Sequence, residues 1–103
     1  MDMTDVRRFD QPQVGTIKLS EAIRIGMLRR PQCSRAFFAN GRSCAIGAAY
    51  EGLFGTPEGF STRRLYSAFP RIPERIWAQI ITQNDGLDKS REQIADWLEA
   101  QGL

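Results

Sequence analysis

The sequence predicts an all-α or nearly all-α domain, built as a compact bundle of about five short helices with one small β-hairpin at 35–44. Apolar residues recur at helical spacing in five separate stretches, and capping residues, prolines or glycines bound each stretch. The chain has 103 residues, of which 42% are hydrophobic and 25% charged, as is usual for one globular domain. Residues 1–16 show no sustained period. We therefore expect a mobile N-terminal arm at 1–16 and a single helical domain at 17–103.

The first helix and the hairpin follow each other. Ser20 is a good N-cap for the helix, because its hydroxyl can accept a hydrogen bond from a free amide, and Pro31 stops the helix. The pair Asn40-Gly41 predicts the hairpin, since both central positions of a type I′ turn need a positive φ, and a plain loop is the alternative. The apolar stripe of the helix consists of Ala22, Ile23, Gly26 and Met27.

The second and third helices are short. Ser43 is the expected N-cap of the second helix, and Gly55 is its expected C-terminal stop. Ser61 or Thr62 caps the third helix, and Pro70 ends it. The predicted buried face of the second helix is Ile46, Ala49, Tyr50 and Leu53, and that of the third is Leu65, Tyr66 and Phe69.

The fourth helix begins at Pro73, which suits a first-turn position, and stops at Asn84-Asp85. The fifth helix begins with a capping box from Ser90 to Gln93. A short connection joins these two helices, so they should pack antiparallel. Each carries one tryptophan on its apolar stripe, and we expect both to share the core: Trp77 and Trp97.

Charge is unevenly distributed along the chain. The net charge is +2, but residues 24–75 carry nine arginines and three glutamates, for a net charge of +6. A basic block of this kind can bind nucleic acid or an acidic partner. The alternative is a general compositional bias toward arginine, since the chain contains twelve Arg and two Lys, and such a bias gives the same charge without any ligand. The candidate partner or nucleic-acid surface surrounds the third helix and consists of Arg63, Arg64, Arg71 and Arg75.

The chain contains two cysteines, Cys33 and Cys44, and no histidine. Cys44 is near a helix N-terminus, but nucleophilic catalysis also needs a base, and the commonest one is absent. Two cysteines without histidine are too few for a zinc site. We therefore expect no catalytic residue, no metal and no cofactor. We expect both cysteines to be reduced thiols, and a disulfide between Cys33 and Cys44 is the alternative that their spacing leaves open.

Three segments occur together in a recognisable order: KLSEAIRIG at 18–26, NGRSCAIGAA at 40–49, and QNDGLDKSREQIADWLEAQG at 83–102. They resemble a group of small uncharacterised bacterial and phage proteins with an LSEAI first helix, a Cys-Ala-Leu-Gly-Ala-Ala-like box, and an Asn-Asp followed by a REQIADWLE-like last helix. The resemblance covers about half the chain and implies a fold and a bacterial or phage origin, plausibly phage or prophage encoded, and it leaves function open. Some members carry a CxxC-like insertion before the Asn-Asp, and this chain lacks it.

A long-range polar contact is expected beside the start of the second helix. The resemblance places the Asn-Asp dipeptide alongside the box, and the small residues there allow another backbone to come close. We therefore predict that Asn84 or Asp85 lies within hydrogen-bond reach of the amides at 44–46, or of Ser43. The alternative is local, with Asp85 shaping only its own turn. The residues of this structural polar contact are Ser43, Cys44, Asn84 and Asp85.

The functional expectation follows largely by exclusion. No apolar run approaches the length of a membrane span, and the first residues, MDMTDVRRFDQPQ, have no apolar stretch typical of a secretory signal. We therefore expect a cytoplasmic protein, in a bacterial or host cell, that does not bind membranes. The leading hypothesis is a small non-enzymatic interaction or regulatory protein that binds a protein partner. The alternative is a nucleic-acid-associated protein that uses the basic block at 24–75.

Overall fold

A computed structural model describes residues 17–103, so the arm expected at 1–16 lies outside the described residues. The described part contains five helices and a two-stranded antiparallel sheet, which confirms the predicted fold class. None of these helices is long and apolar enough to span a bilayer. In chain order the elements are α1 (Leu19–Met27), β1 (Phe38–Ala39), β2 (Arg42–Ser43), α2 (Ala45–Phe54), α3 (Thr62–Ala68), α4 (Glu74–Asp85) and α5 (Arg91–Glu99).

Helix α2 is the centre of the fold, and α1 crosses directly over it. A Cβ atom added to Gly26 would lie 1.8 Å from the carbonyl oxygen of Ala48. One added to Gly52 would lie 1.9 Å from the carbonyl oxygen of Ala22. Both distances are far below van der Waals contact, so the two backbones touch where the glycines lie. The small residues of α1 and α2 are therefore needed for this crossing.

The hairpin packs on the start of α2. Asn40 has a φ of 52° and Gly41 a φ of 74°, as the predicted type I′ turn requires. A Cβ atom added to Gly47 would lie 2.3 Å from the carbonyl oxygen of Phe37. The chain entering the hairpin therefore lies directly against α2, which is the close approach that the small residues of α2 predicted. A hairpin this short depends on such support, because it is marginal on its own.

The start of α1 differs from the prediction. The helix begins at Leu19, with Lys18 in the N-cap position. The carboxylate of Glu21 reaches back and accepts a hydrogen bond from the Lys18 N–H at 3.3 Å. Ser20 is therefore not the N-cap: it is buried in the first turn, and its N–H donates to the carbonyl oxygen of Leu103 at 3.2 Å. A free N–H in the first turn of α1 is thus satisfied by the backbone carbonyl of Leu103 and not by the hydroxyl of Ser20.

The start of α2 differs by one residue. Cys44, not Ser43, is the N-cap, and its Sγ accepts a hydrogen bond from the Gly47 N–H at 3.5 Å. Ser43 instead ends β2 and is fully buried. Three other predicted boundaries are confirmed by a hydroxyl cap on α3, a capping box on α5 and a left-handed stop after α2: Ser61, Ser90 with Gln93, and Gly55. Pro73, in contrast, is the N-cap of α4 and not its first residue, and α1 ends at Met27, before Pro31.

The two tryptophans have different surroundings. Trp77 is 3% exposed and stacks on Tyr66, with ring centroids 4.2 Å apart, and Phe69 packs beside it. Trp97 is half-buried and packs against the edge of the same core. The prediction of a shared core is thus confirmed for Trp77 but only in part for Trp97.

Candidate functional site

Asn84, one residue before the end of α4, is the centre of a buried polar cluster. It is 2% exposed, and its amide group makes four hydrogen bonds. The oxygen accepts from the Ala45 N–H at 3.0 Å and from Gln32 Nε2 at 2.9 Å. The nitrogen donates to the carbonyl oxygen of Cys33 at 2.9 Å and to the carboxylate of Asp85 at 2.8 Å. The side chain therefore has no unused hydrogen-bonding capacity.

Asn84, and not Asp85, reaches the first turn of α2. The Asp85 carboxylate accepts instead from the N–H of Arg35, at 2.9 Å, where the backbone has a left-handed φ of 66°. An amide fits the central position because it accepts from a helix N–H and also donates to a loop carbonyl, whereas a carboxylate only accepts. Asp85 thus holds both the loop and the amide of Asn84 in place.

Arg91, the first residue of α5, extends the same cluster. Its guanidinium donates to the Ser43 hydroxyl at 3.0 Å and to the Arg30 carbonyl at 2.8 Å, with longer contacts to the carbonyls of Ser43 and Met27. These acceptors are neutral, and burial lowers the pKa of Arg91. The cation satisfies carbonyls at and beyond the C-terminal end of α1, where a positive charge is favourable. Arg91 therefore links α5 to β2 and to the segment at the end of α1 by hydrogen bonds.

Sequence reasoning missed Gln32 and Arg91, which complete the polar cluster. Gln32 lies in an irregular segment and carries no local signal. Arg91 does carry a local signal, because a cation in the first turn of a helix lies at the positive end of the helix dipole, where it is unfavourable. Its presence there indicates a compensating contact with another part of the fold. Its partners are three carbonyls and one hydroxyl, all distant in sequence, and no local pattern reveals them.

The chemistry of Cys44 is that of a buried thiol. It is 5% exposed, and burial raises its pKa despite hydrogen bonding to nearby backbone amides. A raised pKa keeps the sulfur protonated and weakly nucleophilic at neutral pH. The cavity beside it, with Asp85 and Arg35 at its wall, measures about 130 Å³, below the ~300 Å³ at which ligand pockets begin. The polar cluster therefore holds elements of the fold together, and its cavity is small.

The four candidate arginines are all exposed, but their contacts differ. Arg64 belongs to the fold, since its guanidinium donates to the Tyr50 hydroxyl at 2.8 Å and lies 4.2 Å from the centroid of the Phe54 ring. Tyr66 of α3 and Phe69, the residue after this helix, both pack against Trp77 within the chain. The remaining three are exposed, and within residues 17–103 none forms a salt bridge: Arg63, Arg71 and Arg75.

Helix α5 presents acidic residues that are partly neutralised. Arg24 on α1 forms salt bridges with three carboxylates of α5, and these raise its pKa. The network joins two packed helices on the surface, where each ion pair adds little to stability. The acidic partners are Glu92, Asp96 and Glu99. These three carboxylates therefore already have a cationic partner within the chain, Arg24.

An open groove of about 460 Å³ lies between the start of α1, the connection from α3 to α4, and the last residues of the chain. Its lining is mainly apolar, with two cationic side chains, Lys18 and Arg71. Its three walls come from segments that are far apart in sequence, so no local pattern predicts it. The lining residues are Ile17, Lys18, Leu19, Ala68, Phe69, Pro70, Arg71, Ile72, Gly102 and Leu103. We call this feature the apolar groove.

Comparison with protein-family models, with curated proteins and with solved structures finds no match to this chain. The resemblance to small bacterial and phage proteins therefore stays a prediction. The function has to be inferred from the surfaces themselves.

Proposed function

We propose that this chain is a small non-enzymatic interaction protein that binds a peptide segment of a partner protein in the apolar groove. The observation that carries the proposal is the combination of an apolar lining with two cations at an open surface. A volume of about 460 Å³ falls within the ~300–1,000 Å³ range of ligand sites. An open groove suits a chain segment that enters and leaves along the surface.

The charges of the groove define the peptide. Lys18 and Arg71 are exposed, and no carboxylate among the described residues forms a salt bridge with either. Arg24 and Arg30, by contrast, are each held by carboxylates of the chain itself. Unneutralised cations beside an apolar lining favour a ligand with apolar side chains next to Asp or Glu. The partner is thus a protein with an exposed segment of that composition.

The state of the thiols supports binding rather than catalysis. Burial raises the pKa of both Cys33 and Cys44, and the sequence contains no histidine to remove their protons. The amide of Asn84 makes all four of its hydrogen bonds within the chain, so this side chain offers no free group to a substrate.

The experiment uses the full chain labelled with ¹⁵N and two matched short peptides. One alternates Leu or Phe with Asp or Glu, and the other replaces the acids by Asn or Gln. We expect only the acidic peptide to bind, with amide shifts at Ile17, Leu19 and Ile72. Shifts centred elsewhere, equal binding of both peptides, or binding of a fatty acid but of neither peptide would contradict the proposal.

Charge reversal tests the same site. Arg71→Glu should weaken binding of the acidic peptide by about tenfold, because it places a like charge at the rim of the groove. Arg63→Glu is the control, since it makes the same change of net charge on an exposed part of α3 outside the groove lining. An equal loss in both variants would show a general effect of net charge and not a contact in the groove.

A second candidate function is nucleic-acid binding, favoured by the exposed Arg63, Arg71 and Arg75. If these arginines contact phosphates, the affinity for duplex DNA should fall with salt with a log–log slope of about −3. Arg75→Ala should reduce the magnitude of that slope by about one. Duplex binding that is absent at low salt would leave the peptide proposal as the better one.

A further inference from the structure

The two cysteines lie side by side in the fold. Gln32 and Ser43 form a parallel β-bridge, in which the Ser43 N–H donates to the carbonyl of Pro31 at 2.9 Å and the Cys33 N–H donates to the carbonyl of Ser43 at 3.0 Å. Cys33 and Cys44 directly follow the two residues of this bridge, and Cys44, the N-cap of α2, still has an extended backbone. Paired strands lie about 4.8 Å apart, and disulfides join Cα atoms about 4.4–6.8 Å apart. The backbone separation at this bridge is therefore of the right size.

The side chains of the two cysteines share one face. Side chains alternate along an extended strand, so residues next to the bridge point away from the side chains of the bridge itself. Gln32 and Ser43 both point toward Arg91: the Gln32 oxygen accepts from its N–H at 3.3 Å and the Ser43 hydroxyl from its guanidinium at 3.0 Å. Cys33 and Cys44 consequently point to the opposite face. The proximity of Cys33 also contributes to raising the pKa of Cys44.

From this geometry we propose that Cys33 and Cys44 are a modification site at which a low-molecular-weight disulfide, such as oxidised glutathione, forms an intramolecular disulfide. Cys33 is half-buried and Cys44 is buried, so the reagent meets the sulfur of Cys33 first. This site is separate from the apolar groove, and the inference does not depend on the proposed function.

The exchange takes place in two steps. The Cys33 thiolate attacks one sulfur of oxidised glutathione, the glutathione S–S bond breaks, and one glutathione thiolate leaves. The thiolate form of Cys44, a small fraction at neutral pH, then attacks the Cys33 sulfur of the mixed disulfide and expels the second glutathione thiolate. The two leaving thiolates take up protons equivalent to those lost by the two cysteines. Two cysteine thiols are oxidised, and one glutathione disulfide is reduced to two thiols.

The product ties the hairpin segment to the start of α2. Closing the loop between residues 33 and 44 lowers the entropy of the unfolded chain, so the oxidised form should resist denaturant better than the reduced form. The native bridge already holds both ends of this loop, so the crosslink asks for little movement of the backbone. The reduced and oxidised chains should therefore share one fold and differ in stability.

The test incubates the reduced full chain with mixtures of reduced and oxidised glutathione, followed by intact-mass measurement without reductant. We expect a monomer lighter by two hydrogen atoms, loss of both thiols together, and a higher denaturation midpoint in urea. A product that stops at the mixed disulfide, a dimer joined between chains, or two thiols that stay free would overturn the proposal.

Two single variants separate the roles of the sulfurs. Cys44→Ser leaves the more accessible thiol without a second sulfur, so it should accumulate the mixed disulfide with glutathione. Cys33→Ser keeps a hydroxyl that can donate to the Ala36 carbonyl in place of the thiol, and its buried Cys44 should stay unmodified. If Cys44→Ser also stays unmodified while the wild-type chain is oxidised, the proposed order of attack is wrong.

Discussion

The side-chain oxygen of Asn84 accepts a hydrogen bond from the backbone N–H of Ala45 at 3.0 Å, across 39 positions of sequence. This contact satisfies one of the free amides in the first turn of α2, whose own N-cap is the weakly accepting thiol of Cys44. The bond joins the end of α4 to the start of the central helix. The bond can form only when α4 and α2 are correctly placed relative to each other.

Asn84→Ala should therefore destabilise the fold strongly. The substitution leaves the N–H of Ala45 and the carbonyl of Cys33 without their partner inside the protein, and we expect a loss of about 3 kcal/mol in the free energy of unfolding. Urea denaturation followed by circular dichroism measures it. Gln79→Ala, at an exposed position of the same helix, is the control and should change stability by less than about 0.5 kcal/mol. Equal midpoints for the two variants would show that Asn84 is not an anchor.

Asp85→Ala should have a smaller effect than Asn84→Ala. Asp85 is half-buried, and it accepts from the exposed Arg35 N–H and from the partly buried amide nitrogen of Asn84. A loss of about 1 kcal/mol is expected, because solvent can replace part of what the carboxylate provides. The same denaturation experiment ranks the two variants. A larger loss for Asp85→Ala would reverse the roles assigned to the two side chains.

The crossing of α1 and α2 gives a steric prediction. Gly52→Ala places a methyl group within 1.9 Å of the carbonyl oxygen of Ala22, so the helices must separate. We expect a loss of more than about 2 kcal/mol, as is usual when extra atoms enter a packed site. Gly86→Ala is the matched control, because its added methyl would lie 3.1 Å from the nearest atom and needs only a small adjustment. If both variants unfold at the same urea concentration, the close approach is absent.

The sequence predicted best those features whose causes are local. Asn40-Gly41 specifies its turn by backbone conformation alone, and the box from Ser90 to Gln93 specifies a helix start within four residues. The misplaced N-cap of α2 shows the limit of this reasoning. Ser43 is the better local acceptor, but its hydroxyl is bound by Arg91, which comes from 48 positions away. A tertiary contact thus leaves Cys44 as the N-cap of α2, although local chemistry favours Ser43.

The candidate sites were predicted less completely than the fold. The sequence indicated that Asn84 or Asp85 would approach the start of α2, yet it could not select the amide over the carboxylate. That choice depends on the loop carbonyl of Cys33, which needs a donor. The apolar groove was not predicted at all, since Leu19, Phe69 and Leu103 belong to three separate segments. Sites formed by packing between elements require the packing to be known first.

The tryptophans give a spectroscopic prediction. Trp77 is almost fully buried, so Trp77→Ala should lower the free energy of unfolding by about 3–5 kcal/mol. Trp97 lies at the edge of the core, and Trp97→Ala should have a clearly smaller effect. Single-tryptophan chains made by Trp97→Phe and Trp77→Phe separate the two emissions. The chain that keeps Trp77 should emit at shorter wavelength, and the opposite order would contradict the placement of the two rings.

The buried thiol of Cys44 makes stability depend on alkaline pH. Burial raises its pKa in the folded state, so the unfolded chain loses the thiol proton first as the pH rises. The contribution of this group is therefore complete below the unfolded pKa of about 8.5 and declines above it, by at most about 1.4 kcal/mol per pH unit. Urea denaturation of the wild type and Cys44→Ala, in reductant at pH 7 to 10, should show the wild type losing stability faster.

Burial also raises the pKa of Tyr66, but that group titrates at still higher pH and is present in both chains. A stability difference that stays constant from pH 7 to 10 would mean that water reaches the sulfur of Cys44 in the folded protein.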